Sequence, residues 1–295
     1  MTIGSQEAGR PDWVDRSLFP FTSRFVTIQG HSVHYIDEGH GPVLLFAHGN
    51  PTWSFVYRDV IRSLSSHFRC VSLDYPGFGL SRAQDDYLST PAEHASVMAE
   101  FIELLHLDRY ILVAQDWGGP IGLSAALRAP ERLQGLVLGN TWAWPVNGDL
   151  HFEIFSRVMG GAIGRMLIMR FNMFVNLMIP AGHRRRKLTE PEMRHYKLAL
   201  DTPMRRRASA IFPRSITSCR DFLESVDRGL QRIEHLPSLL VWGDRDIAFR
   251  RKELRRWEQR LVQHTTVVVE GAGHYVQSDA PDEFARAIRR WHLGI

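Results

Sequence analysis

The sequence predicts an α/β fold: a mostly parallel, doubly wound sheet interrupted by a helical insertion. Three observations carry this. Apolar runs rich in β-branched residues recur between turn signals, several of them continuous rather than alternating, as strands buried on both faces require. Helical patterns separate these runs, and strand-helix alternation is the mark of parallel pairing. Between about Trp142 and Leu236 the alternation stops, and no strand-like run occurs.

The elements follow in order. "RFVTIQG" and "SVHYID" are expected to form an antiparallel start. "VLLFAHG", "FRCVSLDYPG", "YILVAQD" and "LQGLVLGN" read as central strands, and "SLLVWGD" and "TTVVVEGAG" resume the pattern after the insertion. Of the helical stretches, "TPAEHASVMAEFIELLHL" opens with Thr90, Pro91 and Glu93, a capping box with proline in its first turn; "PIGLSAALRAPERL" is another. The insertion carries Met159, Met166, Met169, Met173, Met178, Phe171, Phe174, Leu177 and Ile179 at mixed helical spacing. Most of these are expected to pack as core, and some to line a pocket, because a cap laid over strand ends leaves an apolar cleft. The chain thus divides into a main unit of residues 1–141 and 237–295 and a cap of residues 142–236.

With 295 residues, 44% hydrophobic and 23% charged, the chain can bury a full core and has the composition of a globular protein. Net charge is only +4. The runs "HRRRK" (183–187) and "RRR" (205–207) are read as solvated helical faces, since no aromatics interleave with them as a single-strand binding surface would need; no nucleic-acid partner is expected. Cys70 and Cys219 lack metal or redox spacing and are expected to be buried free thiols. The N-terminus has no apolar leader pattern and no membrane-spanning run is evident, so a soluble, cytoplasmic protein without a membrane partner is expected.

The chemistry concentrates at strand ends. In "VAQDWGGPIG", small residues Ala114 and Gly118 flank Asp116 two positions away on each side, as a strained strand-to-helix corner demands. Alone, Asp116 could equally be a helix N-cap. After the penultimate long strand stands "VWGDRDIAF", with Asp244 and Asp246, and after the last stands "EGAGHYVQSDAP", with His274. Nucleophile, acid and histidine in this order match a hydrolase triad. Asp246, three residues after Gly243, is the preferred acid over Asp244. "HGNPTWSFVYR" supplies the remaining part: the backbone N–H groups of Asn50 and Trp117 would form an oxyanion hole, and their side-chain amide and indole are neutral donors suited to a released anion.

Together "HGNPTWSFVYR", "DYPGFGLS", "AQDWGGPIG", "GDRDIAF" and "GAGHYVQ" resemble the haloalkane dehalogenases of the α/β-hydrolase superfamily, over nearly the whole chain from Phe25 to Trp291. The resemblance implies an α/β-hydrolase fold with a helical cap, a triad of Asp116 (nucleophile), His274 (base) and Asp246 (acid), and a halide pair of Asn50 and Trp117. It is nearest the third subfamily: "LGNTWAW" lacks the glutamate that supports the histidine in some members, and no cap tryptophan lies between Trp144 and Trp242. Trp142 and Trp144 at the cap entrance depart from that pattern and could border the halide site.

The chemistry explains the aspartate. Displacement at a saturated carbon by a serine would leave an inert ether, whereas Asp116 leaves an ester that water, activated by His274, can cleave. The expected reaction converts a small apolar haloalkane to alcohol, halide and a proton, with no cofactor and no metal; homo-oligomerisation is left open. The alternatives are an epoxide hydrolase, which shares the elbow, a luciferase-like relative, and a ligand-binding protein without turnover. The epoxide hydrolases that resemble this pattern use paired cap tyrosines and usually an aromatic residue where Asn50 stands; here Tyr196 is the single cap tyrosine.

Overall fold

A computed structural model describes residues 10–294; the leader reading of the N-terminus falls largely outside them. The strands are β1 (Arg24–Ile28), β2 (His31–Glu38), β3 (Val43–Ala47), β4 (Arg69–Leu73), β5 (Tyr110–Asp116), β6 (Leu133–Thr141), β7 (Ser238–Gly243) and β8 (His264–Val269). They form one sheet in the order β1-β2-β4-β3-β5-β6-β7-β8. β2 pairs antiparallel with both β1 and β4, and every other pairing is parallel. These are the eight runs expected from the sequence.

The helices are α1 (Arg58–Leu64), α2 (Pro91–Leu104), α3 (Gly118–Ala126), α4 (Leu150–Gly160), α5 (Ala162–Phe171), α6 (Ile179–Gly182), α7 (Glu190–Ala199), α8 (Pro203–Ser218), α9 (Arg220–Gly229), α10 (Arg251–Arg260), α11 (Val276–Asp279) and α12 (Pro281–His292). Thr90 and Glu93 make the expected capping box on α2, worth about 1 kcal/mol.

Strand periodicity builds two cores. Leu45, Leu112, Leu138 and Leu240 pack on one face of the sheet, and their neighbours Leu44, Val113, Val137 and Leu239 on the other. All seven residues of central β5 are buried, which is why that run is continuous rather than alternating. Helices α4 to α9 lie between the end of β6 and the start of β7, without a strand. A buried ion cluster ties this segment to the rest: Arg58 of α1 bonds Glu192 of α7, which also receives Arg186 at 2.9 Å. Burial opposes ionisation of Glu192, but Arg186, the Thr189 N–H and Arg58 outweigh it and bring the carboxyl to about 2.

Three expectations need correction. Met166, Phe171 and Leu177 are exposed rather than core: α5 turns Met166 and Phe171 outward, and the short helical segment after it does the same with Leu177. The "HRRRK" run is not a helical face: α6 ends at Gly182, and the backbone N–H groups of Arg184, Arg185 and Arg186 converge on the Asp279 carboxylate at 2.9–3.1 Å. Cys70 is buried, but Cys219 is only half-buried. Among the described residues no single helix is long and apolar enough to cross a membrane.

Candidate active site

The site lies at the carboxyl ends of the parallel strands, where ligands bind in open α/β sheets. β5 ends on Asp116 with φ of +51°, a left-handed conformation that costs a non-glycine residue about 1–3 kcal/mol and persists where the surroundings fix it. Close contacts fix it here. A β-carbon at Gly49 would overlap the Asp116 carboxylate, and one at Gly118 would overlap the Ala47 carbonyl, so glycine at both places lets the turn after β3 press against the corner. Thr141 donates its hydroxyl to the Asp116 carbonyl at 2.6 Å. No side chain caps α3, whose N-cap is Trp117, so Asp116 is not serving as a cap.

The Asp116 carboxylate has two distinct oxygens. Oδ1 accepts the Asn50 N–H at 2.8 Å, and the nearby Trp117 N–H also favours the charged form of the group. Oδ2 stands 3.6 Å from His274 Nε2. Burial raises the Asp116 pKa above the ordinary carboxylate value, with His274 and the two N–H groups opposing that rise. His48 sets the donor turn: its Nε2 accepts the Tyr75 N–H at 3.1 Å and its Nδ1 faces the Gly49 carbonyl at 3.0 Å. Burial pushes His48 down to about 4, so the ring is a neutral brace between the ends of β3 and β4.

His274 follows β8, and its Nδ1 lies 2.9 Å from Oδ2 of Asp246 on the loop after β7. Asp244 is exposed and instead accepts the Gly271 N–H at 2.7 Å. Asp246 Oδ1 accepts the Ala248 N–H at 2.7 Å, and its Oδ2 also accepts the Asn140 amide at 2.9 Å. Burial pulls the His274 pKa down, but the Asp246 carboxylate and then Asp116 outweigh it, so the net shift is upward.

Two buried amides in this network were not singled out from the sequence. Asn140, at the end of β6, joins Asp246 to the Gly243 backbone, accepting its N–H at 2.8 Å and donating to its carbonyl at 3.1 Å. Gln115, one residue before Asp116, places Nε2 3.1 Å from both Nε2 and the carbonyl of His274, and is held from behind by Gln277 at 3.2 Å. Their one sequence signal is adjacency to the motifs, in "QDW" and "LGN".

A cavity of about 150 Å³ lies above Asp116. Asn50, Trp117 and His274 line it with apolar side chains that include Trp142, Phe152, Phe174 and Phe249. The Trp117 ring is fixed edge-on by Trp142 at 4.7 Å and Phe212 at 5.1 Å. Neither the Trp117 indole N–H nor the Asn50 amide nitrogen has a protein acceptor among the described residues. Trp142 lines the cavity with an unpartnered, buried Nε1, whereas Trp144 packs away from it against Trp257. Tyr196 is also away from the cavity, edge-on to Phe55. Among the described residues, no three His, Cys, Asp or Glu side chains converge as metal ligands.

An ionisable carboxylate, a histidine within reach of it, an acid behind that histidine and two free neutral donors can perform nucleophilic displacement followed by hydrolysis. Comparison with known proteins identifies the family. Residues 42–281 match the family model described as alpha/beta hydrolase fold. Haloalkane dehalogenase 2 of Mycobacterium tuberculosis is 42% identical over 276 residues, covering 93% of this chain and 96% of that protein. A cis-3-alkyl-4-alkyloxetan-2-one decarboxylase of Shewanella oneidensis is 28% identical, covering 93% and 89% of the two chains. The crystal structure of haloalkane dehalogenase DbeA from Bradyrhizobium elkani superposes with a TM-score of 0.85 at 23% identity, covering 93% of this chain and 98% of that one, a likeness of fold. The chain therefore belongs to the haloalkane dehalogenase family of α/β-hydrolases, enzymes acting on carbon-halide bonds.

Proposed function

We propose that the enzyme hydrolyses small apolar haloalkanes through an alkyl ester on Asp116, with Asp246 and His274 completing the triad and Asn50 and Trp117 holding the halide, the arrangement of the third subfamily. The observation that carries this is the asymmetry of the Asp116 carboxylate. Oδ1 is held by the Asn50 N–H, with the Trp117 N–H also favouring the charged carboxylate, and Oδ2 faces His274 beside the cavity. The free oxygen displaces halide, forming the C–O bond as the carbon-halogen bond breaks. Charge moving onto the halogen strengthens its bonds to the Trp117 indole and Asn50 amide, which is binding realised in the transition state.

Ester formation also prepares the second step. It removes the Asp116 charge, one of the influences that raise the His274 pKa, so the ring becomes more readily neutral when it must accept a proton. Nδ1–H donated to Asp246 leaves Nε2 as the acceptor, and water attacks the ester carbonyl as its proton passes there. The resulting oxyanion forms at Oδ1, which the Asn50 N–H already holds and beside which the Trp117 N–H lies, a type of contact worth about 10²–10³ in rate per donor. Collapse returns Asp116 and releases the alcohol and the proton. The apolar walls favour a hydrocarbon substrate at about 25 cal/mol per Å² removed from water.

An epoxide hydrolase would protonate its leaving oxygen, but Tyr196 lies away from the cavity, and the Asn50 amide and Trp117 indole donate hydrogen bonds without giving up a proton. The test is bromide release from a panel of brominated alkanes. The wild-type enzyme is expected to release bromide, and Asp116→Ala none. No release by the wild type, or undiminished release by the variant, overturns the reading.

A further inference from the structure

The cap carries a surface that the reaction does not use. Residues 154–189 contain no Asp or Glu and seven Lys or Arg, of which Arg185 and Arg186 are paired to Glu283 and Glu192, although basic and acidic residues nearly balance over the whole chain. On α4, Leu150, Ile154 and Val158 are 71%, 62% and 59% exposed at intervals of four, which places them in a row on one helix face. Ile163, 73% exposed, continues the apolar surface at the start of α5. Single exposed aliphatics need no explanation, but an aligned row does.

Beside it is an open crevice of about 550 Å³ between α4, α5 and α8, sharing no wall with the reaction cavity. Arg157, Arg165 and Arg214 line it from those three helices, and none has an ion-pair partner among the described residues. Glu153 is the one acid in the wall, and it already accepts the Gly148 N–H at 2.8 Å. A second copy of the chain would set one face with three unpaired arginines against another, which charge repulsion opposes. A soluble anion would use the crevice and leave the aliphatic row unexplained.

We infer that this face of the cap docks on an anionic lipid bilayer, with a headgroup phosphate in the Arg157–Arg165–Arg214 crevice and the aliphatic row at the boundary of headgroups and acyl chains. Arginines beside an exposed apolar helix face are the composition of an interfacial contact. The contact is peripheral: α5 and the helical segment 174–182 are bent by 82° to one another and do not form a straight span. This replaces the expectation of no membrane partner, which rested on the lack of a spanning run. It is independent of the halide reading.

The test is sedimentation of the full-length protein with vesicles of phosphatidylcholine alone, or containing about one-third phosphatidylglycerol, at low and at high salt. Binding is expected to the anionic vesicles only and to fall steeply with salt. Each of Arg157→Ala, Arg165→Ala and Arg214→Ala should weaken it about five-fold, and the triple variant about a hundred-fold. Ile154→Gln with Val158→Gln and Ile163→Gln should also weaken it, while circular dichroism and activity stay unchanged, because none of the substituted residues lines the reaction cavity. No binding to anionic vesicles at low salt, equal binding to neutral ones, or undiminished binding by the triple arginine variant overturns the inference. Inorganic phosphate binding without vesicle binding reassigns the crevice to soluble anions. Self-association lost in the glutamine variant, again without vesicle binding, gives the row to a second copy.

Discussion

Asp246→Asn offers a sharp division of the catalytic cycle. In the wild type both Asp246 oxygens accept only: Oδ1 from Ala248, and Oδ2 from Asn140 and His274. An asparagine must turn one of these positions into a donor. With its NH₂ at the Oδ2 position it meets the Asn140 amide and forces His274 Nδ1 to become an acceptor, which puts the proton on Nε2 and disables the base. With its NH₂ at the Oδ1 position it meets the Ala248 N–H. Neither orientation satisfies all partners, and the wrong tautomer of a triad histidine costs about 10⁴ in rate, or about 5.5 kcal/mol. In the proposed cycle the displacement step uses Asp116, Asn50 and Trp117 and does not involve that tautomer. Rapid-quench measurement should therefore show a burst of about one bromide per active site, followed by turnover slowed about 10³–10⁴-fold. Mass spectrometry should find the alkyl group on the peptide containing Asp116. Loss of the burst together with turnover, or turnover within tenfold of wild type, refutes the reasoning. Asp244→Asn is the control: its side-chain carbonyl can still accept the Gly271 N–H, and turnover should stay near wild type.

Three further outcomes are expected. Trp117→Phe removes the proposed indole donor to the leaving halide, so the bromide burst should slow about 10–100-fold, for a loss of about 1.5–3 kcal/mol; an unchanged burst rate would remove Trp117 from the halide site. Asn140→Ala leaves the buried Gly243 N–H without its partner and Asp246 with one fewer donor, and should lower stability by about 2–4 kcal/mol in denaturant unfolding, whereas a loss below about 0.5 kcal/mol would make the amide dispensable. In pH dependence, ester hydrolysis in the proposed cycle needs neutral His274 and so declines as pH falls through its pKa. Because the ester lacks the Asp116 charge that helps to raise that pKa in the free enzyme, the acid limb of single-turnover ester hydrolysis should lie below the His274 titration followed by NMR in the free enzyme; a limb at or above it contradicts the coupling.

What could be read in advance depended on whether a signal was local. The eight strands were legible because a strand buried on both faces must be apolar at consecutive positions, as in β5, and Thr90 with Glu93 announced α2 within four residues. Asp116, Asp246 and His274 were legible as candidates because each stands at or a few residues after the end of a strand, in a recurrent order. Gln115 and Asn140 were not, since an uncharged amide carries no pattern of its own and their partners Gln277 and Asp246 lie 162 and 106 residues away. The same limit governs the cap. Its helices are apolar on more than one side, so spacing alone could not say that Phe174 faces the cavity while Phe171 faces outward. The arginines from Arg184 to Arg186 resembled a helical face because Asp279, which gathers their backbone, comes from α11, far along the chain.

The contacts that fix Asp116 also divide what descendants of this sequence can change. At Gly49 and Gly118 even a methyl group would strike the corner, so lineages can alter those places only by losing it. Phe152, Phe174 and Met178, which wall the cavity from the cap, carry no such backbone demand and can exchange size and shape freely. Selection for a new substrate would thus leave its record in the cap, while the corner stays the same from ancestor to descendant.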